Sequence, residues 1–597
     1  MNNTIKRAIT ALVALCTILG IGFFSRPAVP EVFVTETLPA EQTTIVPEIV
    51  ELPFVEEAVP EIQEVIEQEE IPHTLFEKLS AEANYALAEQ KKVDEALEAE
   101  LVSHSYTFDE PLVVINPYGN SPLTALVLFE TEEPVWVSAR VPGKAEIDDV
   151  TFQFSVYKTQ HIIPIYGLRA DMLNVVELTS SVKSGEESKI LLELVTEPLP
   201  ELISDISVIT NLQHSELYQD GLNFCFERKQ AYDSSGEIRW CLNDFSFTSS
   251  QLVNHNGHFL FAKGSYYRGA LVIYEMDLLG RIYNVYYSPY GVHHDIYVLE
   301  NGNILVTGSD SGTPETLIIE IDATTGELVH ILNLGDILPR ARTTSPLFSE
   351  EDWLHLNSIV SDGKGNLLVS SRNQSAVVKL SWPKGEIDWI QSFHDGWPEM
   401  YKQYLLNPVG NNFEWQLCQH NPTILPDYDN NSDTIDILLF DNGNDRFSLD
   451  KGLQLKIQNG EVVSPELYSR MVHYRINERT RKIEQIWQFG KELGEAYFSR
   501  QRGNAMLLPT GSLFATFTKE TRLKREDGVF TQVNTNSCIE VSRNGEIIWE
   551  SYVSHKKSAY DYVEYRTVRA PIYTDRDNDY SFDMVPGNFI PEKEADQ

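Results

Sequence analysis

Cysteine is scarce in this chain, five residues in 597, and none belongs to a Cys-x-x-Cys pair. Neither a zinc-ribbon nor a disulfide-rich scaffold is therefore available. Cys225 and Cys241 flank the turn Asp233-Ser234-Ser235-Gly236 and read equally well as one disulfide or as two buried thiols. Basic side chains are also short, 47 Lys and Arg against 88 Asp and Glu, a formal net charge of −41. Polyphosphate backbones need a basic face, so nucleic-acid binding is excluded as the main role. The N-terminal apolar run, Ala8 to Phe24 after Lys6 and Arg7, falls short of the roughly 20 residues of an ordinary membrane span. It reads as an export signal. No small-x-small cleavage site follows it, which favours an uncleaved anchor over a cleaved signal peptide, and Leu15 before Cys16 argues against a lipoprotein. On either reading residues 1–29 are the only membrane contact, and the rest is extracytoplasmic, at the cell surface or in the periplasm.

What is present divides the chain. Residues 30–72 form an acidic Pro/Glu-rich linker, with twelve glutamates and no Lys or Arg between Glu31 and Glu70; such a segment repels itself and cannot collapse. Thr74-Leu75-Phe76-Glu77 is a capping box. Behind it Phe76, Leu79, Ala83, Leu87, Val93, Leu97 and Leu101 keep helical spacing, which predicts an amphipathic helix over 73–105. Its apolar stripe would pack either on a partner chain, as in a homodimer, or on the domain behind it. Alternating β runs from 106 to 204 predict a small β-sandwich.

From 205 to 597 one phrase recurs, a turn ending in Gly followed by an alternating strand. Its copies begin at Ser234, Leu278, Thr324, Trp382 and Ser542, with a degenerate one at Arg479, and most end on Trp. Hairpins of a second kind fall between them, at Asn256-Gly257, Asn301-Gly302, Lys364-Gly365 and Thr510-Gly511. A repeat of 44–63 residues with about four strands each predicts a six-bladed β-propeller. The 97-residue interval between the copies at Trp382 and Arg479 predicts an insertion over the channel mouth. The fold class expected is thus all-β.

Three histidines stand at matching places in these repeats. His294 precedes the hairpin at Leu299–Gly302, His355 and Asn357 precede Ser361–Gly365, and His420 opens its own strand. A lone histidine before a strand is more often structural. Recurrence at equivalent repeat positions has no such reason, and it predicts convergence at one mouth. Arg372, at the end of a strand after Ser370-Ser371, would aim there too. Three imidazoles, a guanidinium and a carboxamide suit an anionic group under attack by nitrogen.

At this point the residues resemble a family. The stretch Val114-Ile115-Asn116-Pro117-Tyr118-Gly119 onward, His294-Asp295, Trp353 to Ser358, Ser370 to Gln374, Gln419-His420 and Phe440 to Gly443 are similar, in order, to bacterial arylsulfate sulfotransferases. The likeness runs from about 106 to 590. It implies a six-bladed propeller carrying a small sandwich, with no cofactor, no metal and no nucleotide sulfate donor. It also implies a channel histidine that takes a sulfuryl group from a phenolic sulfate and passes it to a phenol acceptor. The resemblance assigns the nucleophile to His420, and sulfuryl binding or proton transfer to His294, His355, Asn357 and Arg372. The family's late threonine has no counterpart, since Tyr497–Gly503 offers Ser499, Arg500 and Arg502 instead. Arg502 and, further on, Arg566 beside Tyr565 are expected to bind substrate. Trp353, Phe413 and Trp415 are read either as aryl-stacking or as packing residues. The rival readings are a non-catalytic extracellular ligand- or protein-binding propeller, a sulfatase, for which the Cys-x-Pro-x-Arg motif is missing, and a metal hydrolase.

Overall fold

A computed structural model describes residues 43–45, 75–200, 203, 205–208, 218, 220–225, 227–243, 254–255, 257–265, 269–310, 313–342, 351–444, 456–458, 461–463, 467–524, 530–554 and 564–591. The N-terminal apolar run and most of the acidic linker lie outside them. Among the described residues no helix is long and apolar enough to cross a membrane.

The predicted helix forms as α1, Leu75–Ser103. Its apolar stripe is buried against its own chain. Phe76 packs edge-on against Tyr287 at 5.1 Å, and the Gln90 carboxamide both accepts from the Ile282 N–H (2.6 Å) and donates to its carbonyl (2.8 Å). Between the two expected places for this stripe, the domain behind it is the one occupied.

The first domain is a single six-stranded sheet of β1 (Thr43–Ile45), β2 (Leu112–Ile115), β3 (Ala125–Val141), β4 (Val150–Ile165), β5 (Leu173–Val182) and β6 (Glu187–Val195). The two faces of the expected sandwich are joined because β3 runs through both, pairing with β2 early and with β5 late. A register break between Glu130 and Val135 bends it.

Among the described residues six units follow, each built on a run of four antiparallel strands, to which the second, fifth and sixth add one more. After β7 (Asp205–Val208) come β8 (Leu222–Cys225), β9 (Gln230–Tyr232) and β10 (Ile238–Cys241), then β11 (Asn254–His255), β12 (His258–Ser265), β13 (Gly269–Met276) and the long β14 (Ile282–Val298). Strand β14 ends the second unit and begins the third, with β15 (Ile304–Asp310), β16 (Thr313–Ile321) and β17 (Leu328–Asn333). The fourth unit is β18 (Leu356–Ser361), β19 (Asn366–Ser371), β20 (Ala376–Ser381) and β21 (Ile387–Gln391). The fifth holds β22 (Asn407–Val409), β23 (His420–Ile424), β24 (Thr434–Asp441), β27 (Arg470–Asn477) and β28 (Lys482–Phe489), with β25 (Lys456–Gln458) and β26 (Glu461–Val463) as a separate hairpin. The sixth is β29 (Asn504–Leu507), β30 (Leu513–Lys524), β31 (Phe530–Val541) and β32 (Ile547–Ser554). Both ends are stitched across: β7 joins the sixth sheet beside β32, and β33 (Thr567–Ala570) completes the first beside β8.

The recurring phrase has one structural meaning. In all six sheets it is the turn into the last strand of the four-strand antiparallel run, and a register break accompanies every copy. Gly280 and its counterparts stand at positive φ, and the degenerate copy places Arg481 there at φ 56°, the left-handed region where glycine is favoured. The tryptophans link neighbours. The indole of Trp240 donates to Leu278 O in the second sheet (2.9 Å), Trp389 to Glu478 in the fifth (2.8 Å) and Trp487 to Arg543 O in the sixth (2.9 Å). Trp549 of the sixth sheet donates to Ser234 O of the first (2.9 Å).

Of the two readings left open for Cys225 and Cys241, buried thiols are the one found. Gln230 of β9 pairs with Cys225 on one side and Cys241 on the other, so the two stand two strand spacings apart, about 9–10 Å, beyond disulfide reach. Within the long interval, β22 runs parallel to β28 along the outer edge of the fifth sheet.

Candidate active site

The first strands of the third, fourth and fifth sheets lie side by side, and each breaks register where its histidine sits. The breaks fall between His293 and Ile296, between Leu356 and Ser358, and between His420 and Thr423. His294 (φ 49°), His355 (φ 52°) and, flanking His420, Cys418 (φ 53°) and Asn421 (φ 50°) occupy the left-handed region. Such strain persists only where surrounding structure over-determines it, and it clusters at functional sites. The matching positions read from the repeats are thus matching bulges, which turn three imidazoles toward one place.

The rings do converge. His294 and His355 have centroids 4.7 Å apart. Tyr565 lies between them and the third ring, 5.6 Å from His294 and 5.6 Å from His420. Its hydroxyl is buried without a hydrogen-bond partner, and burial pushes its pKa up.

Each imidazole is held from behind. His420 is 2% exposed, and its Nδ1 donates to Asn442 Oδ1 at 2.6 Å. That bond leaves the lone pair on Nε2, at the opposite edge of the ring. Burial and the nearby Arg372 guanidinium hold its pKa well below the ordinary histidine value, against the Asn442 bond. Asn442 is itself clamped, donating to Ser499 O (2.9 Å) and Arg502 O (2.7 Å).

His355 has the contrary setting. Its Nδ1 lies 2.9 Å from Asp352 Oδ2 and 2.6 Å from Glu315 Oε2. Burial opposes the charge, but Glu315 and then Asp352 outweigh it and raise the pKa to about 9. Glu315 Oε1 also lies 2.9 Å from His294 Nε2, though off the line of a hydrogen bond. Burial works against the Glu315 charge, yet His294 and His355 hold its carboxyl well below the ordinary range. His293, buried nearby, is lowered to about 4 by desolvation. Ligand atoms of His294, Glu315 and His355 fall within 4.8 Å of one another. The 2.6 Å contact is a close ion pair without hydrogen-bond alignment; ligands around a metal at about 2.0–2.2 Å sit farther apart.

The remaining expected residues divide. Arg372 is buried beside His420, with Nη1 donating to Asn373 Oδ1 (3.1 Å) and Nη2 reaching Arg500 O (3.5 Å). Asn357 donates to Gln419 O (2.8 Å), while its Oδ1 is buried without a partner. Arg566 faces Asp295 (3.2 Å) and Asn357 O (3.4 Å). Arg502, at φ 65°, turns its guanidinium toward Glu227 at 3.6 Å. Ser499 is not an open hydroxyl, since it accepts from Thr518 N (2.5 Å). Trp353 belongs to the core of the third and fourth sheets, and Phe413 packs on Trp415 at 4.7 Å and on Tyr474 at 5.6 Å, so these aromatics serve packing.

The Ser370–Gln374 motif proves to be a clasp. Ser371 Oγ donates to Leu354 O (2.5 Å), Arg372 N to His355 O (3.0 Å), the Asn373 amide to Asp352 O, and Gln374 Nε2 to Trp353 O (2.7 Å). Sequence reasoning missed Glu315 and Asp352, and quoted Asn442 only as a turn. A signal existed: Glu315 near the start of β16, Ser371–Ala376 and Asp441–Asn444 all follow the second strand of their sheets, in three successive sheets.

A mostly β chain of repeated sheets thus gathers three imidazoles, a guanidinium and two carboxylates about one place. Residues 218–548 match the profile of the arylsulfotransferase (ASST) family, and residues 112–197 match the arylsulfotransferase Ig-like domain. The chain belongs to the arylsulfotransferase family and is a sulfotransferase. It is 23% identical over 513 residues to arylsulfate sulfotransferase AssT of Lelliottia amnigena and 24% over 510 residues to AssT of Escherichia coli O6:H1, in each case across 65% of this chain and 81% of the relative. A Bacteroides caccae protein of unknown function aligns at a TM-score of 0.32 with 12% identity, over 62% of this chain and all of its own; that likeness bears on neither fold nor function.

Proposed function

We propose that the protein is an aryl-sulfate sulfotransferase that works by ping-pong transfer through a sulfohistidine at His420. The observation that carries this is the opposed setting of two imidazoles beside Tyr565, one held neutral by Asn442 and one held charged by Glu315 and Asp352. Environments that push paired groups apart in pKa divide acid from base. In the first half-reaction the His420 Nε2 lone pair attacks sulfur, the S–O(aryl) bond breaks, and the departing oxygen takes a proton from His355. In the second, the acceptor phenol returns a proton to His355 as its oxygen attacks sulfur and the N–S bond breaks. Sulfuryl transfer resembles phosphoryl transfer, with a loose transition state whose charge lies on peripheral oxygens. Arg372 and the open side of Asn357 would meet those oxygens. His294 would share proton transfer, and Arg566 and Arg502 would add positive potential.

In the same reading the six sheets are blades of a closed six-bladed propeller over 205–597. The stitching of β7 and β33 and the indole bond from the last sheet to the first support it. Residues 106–204 are the accompanying β-sandwich, 73–105 the helix, 30–72 the linker, and 1–29 the signal or anchor of an extracytoplasmic protein. A homodimer belongs to the reading as well, measurable by light scattering.

Incubation with p-nitrophenyl sulfate and phenol tests the function. Nitrophenol release should depend on the acceptor, persist in EDTA and vanish in His420→Ala. Donor alone should add about 80 Da to His420, the mass of one sulfuryl group on the nucleophile. Release without acceptor and without adduct overturns the proposal.

A further inference from the structure

Among the described residues Glu315 is the one carboxylate that touches both imidazoles, 2.9 Å from His294 Nε2 and 2.6 Å from His355 Nδ1. It is held for that purpose. Its backbone stands at φ 57°, its N–H donates to Ser309 Oγ at 3.0 Å, and the same oxygen lies 2.9 Å from His293 Nε2. The carboxylate therefore has little freedom to leave. With Asp352 on the same nitrogen at 2.9 Å, Nδ1 of His355 lies between two anions, and the proton on Nε2 is the one left to give away.

We propose that Glu315 is a positioning residue that keeps the site's proton on His355 and thereby fits the enzyme to sulfate esters of unactivated phenols. The proposal rests on the sulfuryl-transfer reading above. A nitrophenolate leaves readily by itself. An unsubstituted or alkyl phenol, of pKa about 10, needs a proton as its bond to sulfur breaks, and an acid is most effective when its strength is matched to that task. The charged or titratable groups facing His355 are Glu315 from β16, Asp352 from its own loop, His293 and His294 from β14, His420 from β23, Arg372 beyond β19, and Tyr565 and Arg566 before β33. The two carboxylates are the groups in contact with its Nδ1, and the pKa near 9 agrees with that placement.

The test compares wild type, Glu315→Gln and Glu315→Asp in the phenol burst from donor alone, using p-nitrophenyl and 4-methylphenyl sulfate. Glu315→Gln should lose at least about 100-fold with the methylphenyl donor, as expected for a lost general acid, and under about tenfold with the nitrophenyl donor. The alkaline limb of its pH profile should move down by more than one unit, and Glu315→Asp should recover most of the difference. Equal losses with both donors, or an unmoved limb, overturn the proposal. NMR titration of the His355 ring gives a readout free of the reaction. A midpoint that falls in Glu315→Gln supports the coupling even if no donor turns over, whereas an unchanged midpoint removes it.

Discussion

At the scale of single residues, hydrogen bonds decide which nitrogen reacts. Asn442 is the side chain bonded to the Nδ1 proton of His420. Asn442→Ala should therefore cost roughly 10- to 100-fold in kcat through a misdirected ring, with the fold intact by circular dichroism. The pH profile follows from the same contacts. His420 is held below the ordinary histidine range, so its neutral form persists from mildly acidic pH upward. His355 is charged until pH passes about 9. Turnover of an unactivated donor should be flat through neutrality and fall above about pH 9; a profile peaking near 6.5 would exchange the two roles. The sequence made His294, His355 and His420 legible because they recur in register. It left Glu315 silent because a lone carboxylate is ordinarily solvated. Only the approach of β14, β16 and the Asp352 loop shows what it touches.

At the scale of elements, the site is built from paired strand defects. Every histidine-bearing first strand carries a bulge, and each is fastened by the loop after a second strand, the Ser370–Gln374 clasp being the fullest case. Gly503 ties the entry of β29 to Tyr565, its N–H donating to Tyr565 O at 3.0 Å, at φ 101°. A Cβ there would stand 2.5 Å from the Phe440 ring and 2.9 Å from Thr516 O. Gly503→Ala should cost about 2–4 kcal/mol from strain and overpacking, read as a lower Tm, and should weaken turnover by shifting Tyr565. The phrase ending in Trp was legible as a repeat. That it marks the turn into the last antiparallel strand of each run, and that Arg481 can stand where glycine does, was not, because a strand pattern does not say which neighbour it pairs with.

At the scale of the whole molecule, the first domain is locked onto the sheets by a buried guanidinium. Arg239 is fully buried and donates to Gly167 O (2.8 Å), Asp148 O (2.7 Å), Val141 O (3.3 Å) and Asp233 Oδ2 (3.1 Å). Arg239→Ala leaves those acceptors and the Asp233 charge without their partner. It should cost about 3–5 kcal/mol, visible in denaturant unfolding. By itself the sequence determined the order of segments, the β class of the chain, the sixfold repeat and the identity of the three imidazoles. Those properties are periodic or local, and they survive in one dimension. Tertiary structure decided that Cys225 and Cys241 stand apart across β9, that α1 packs on its own chain, and that β22 takes the outer edge. It also decided that Glu315 and Asp352 both lie against Nδ1 of His355. Each of these depends on which distant strands meet, and that is set by long-range packing rather than by any short stretch of residues.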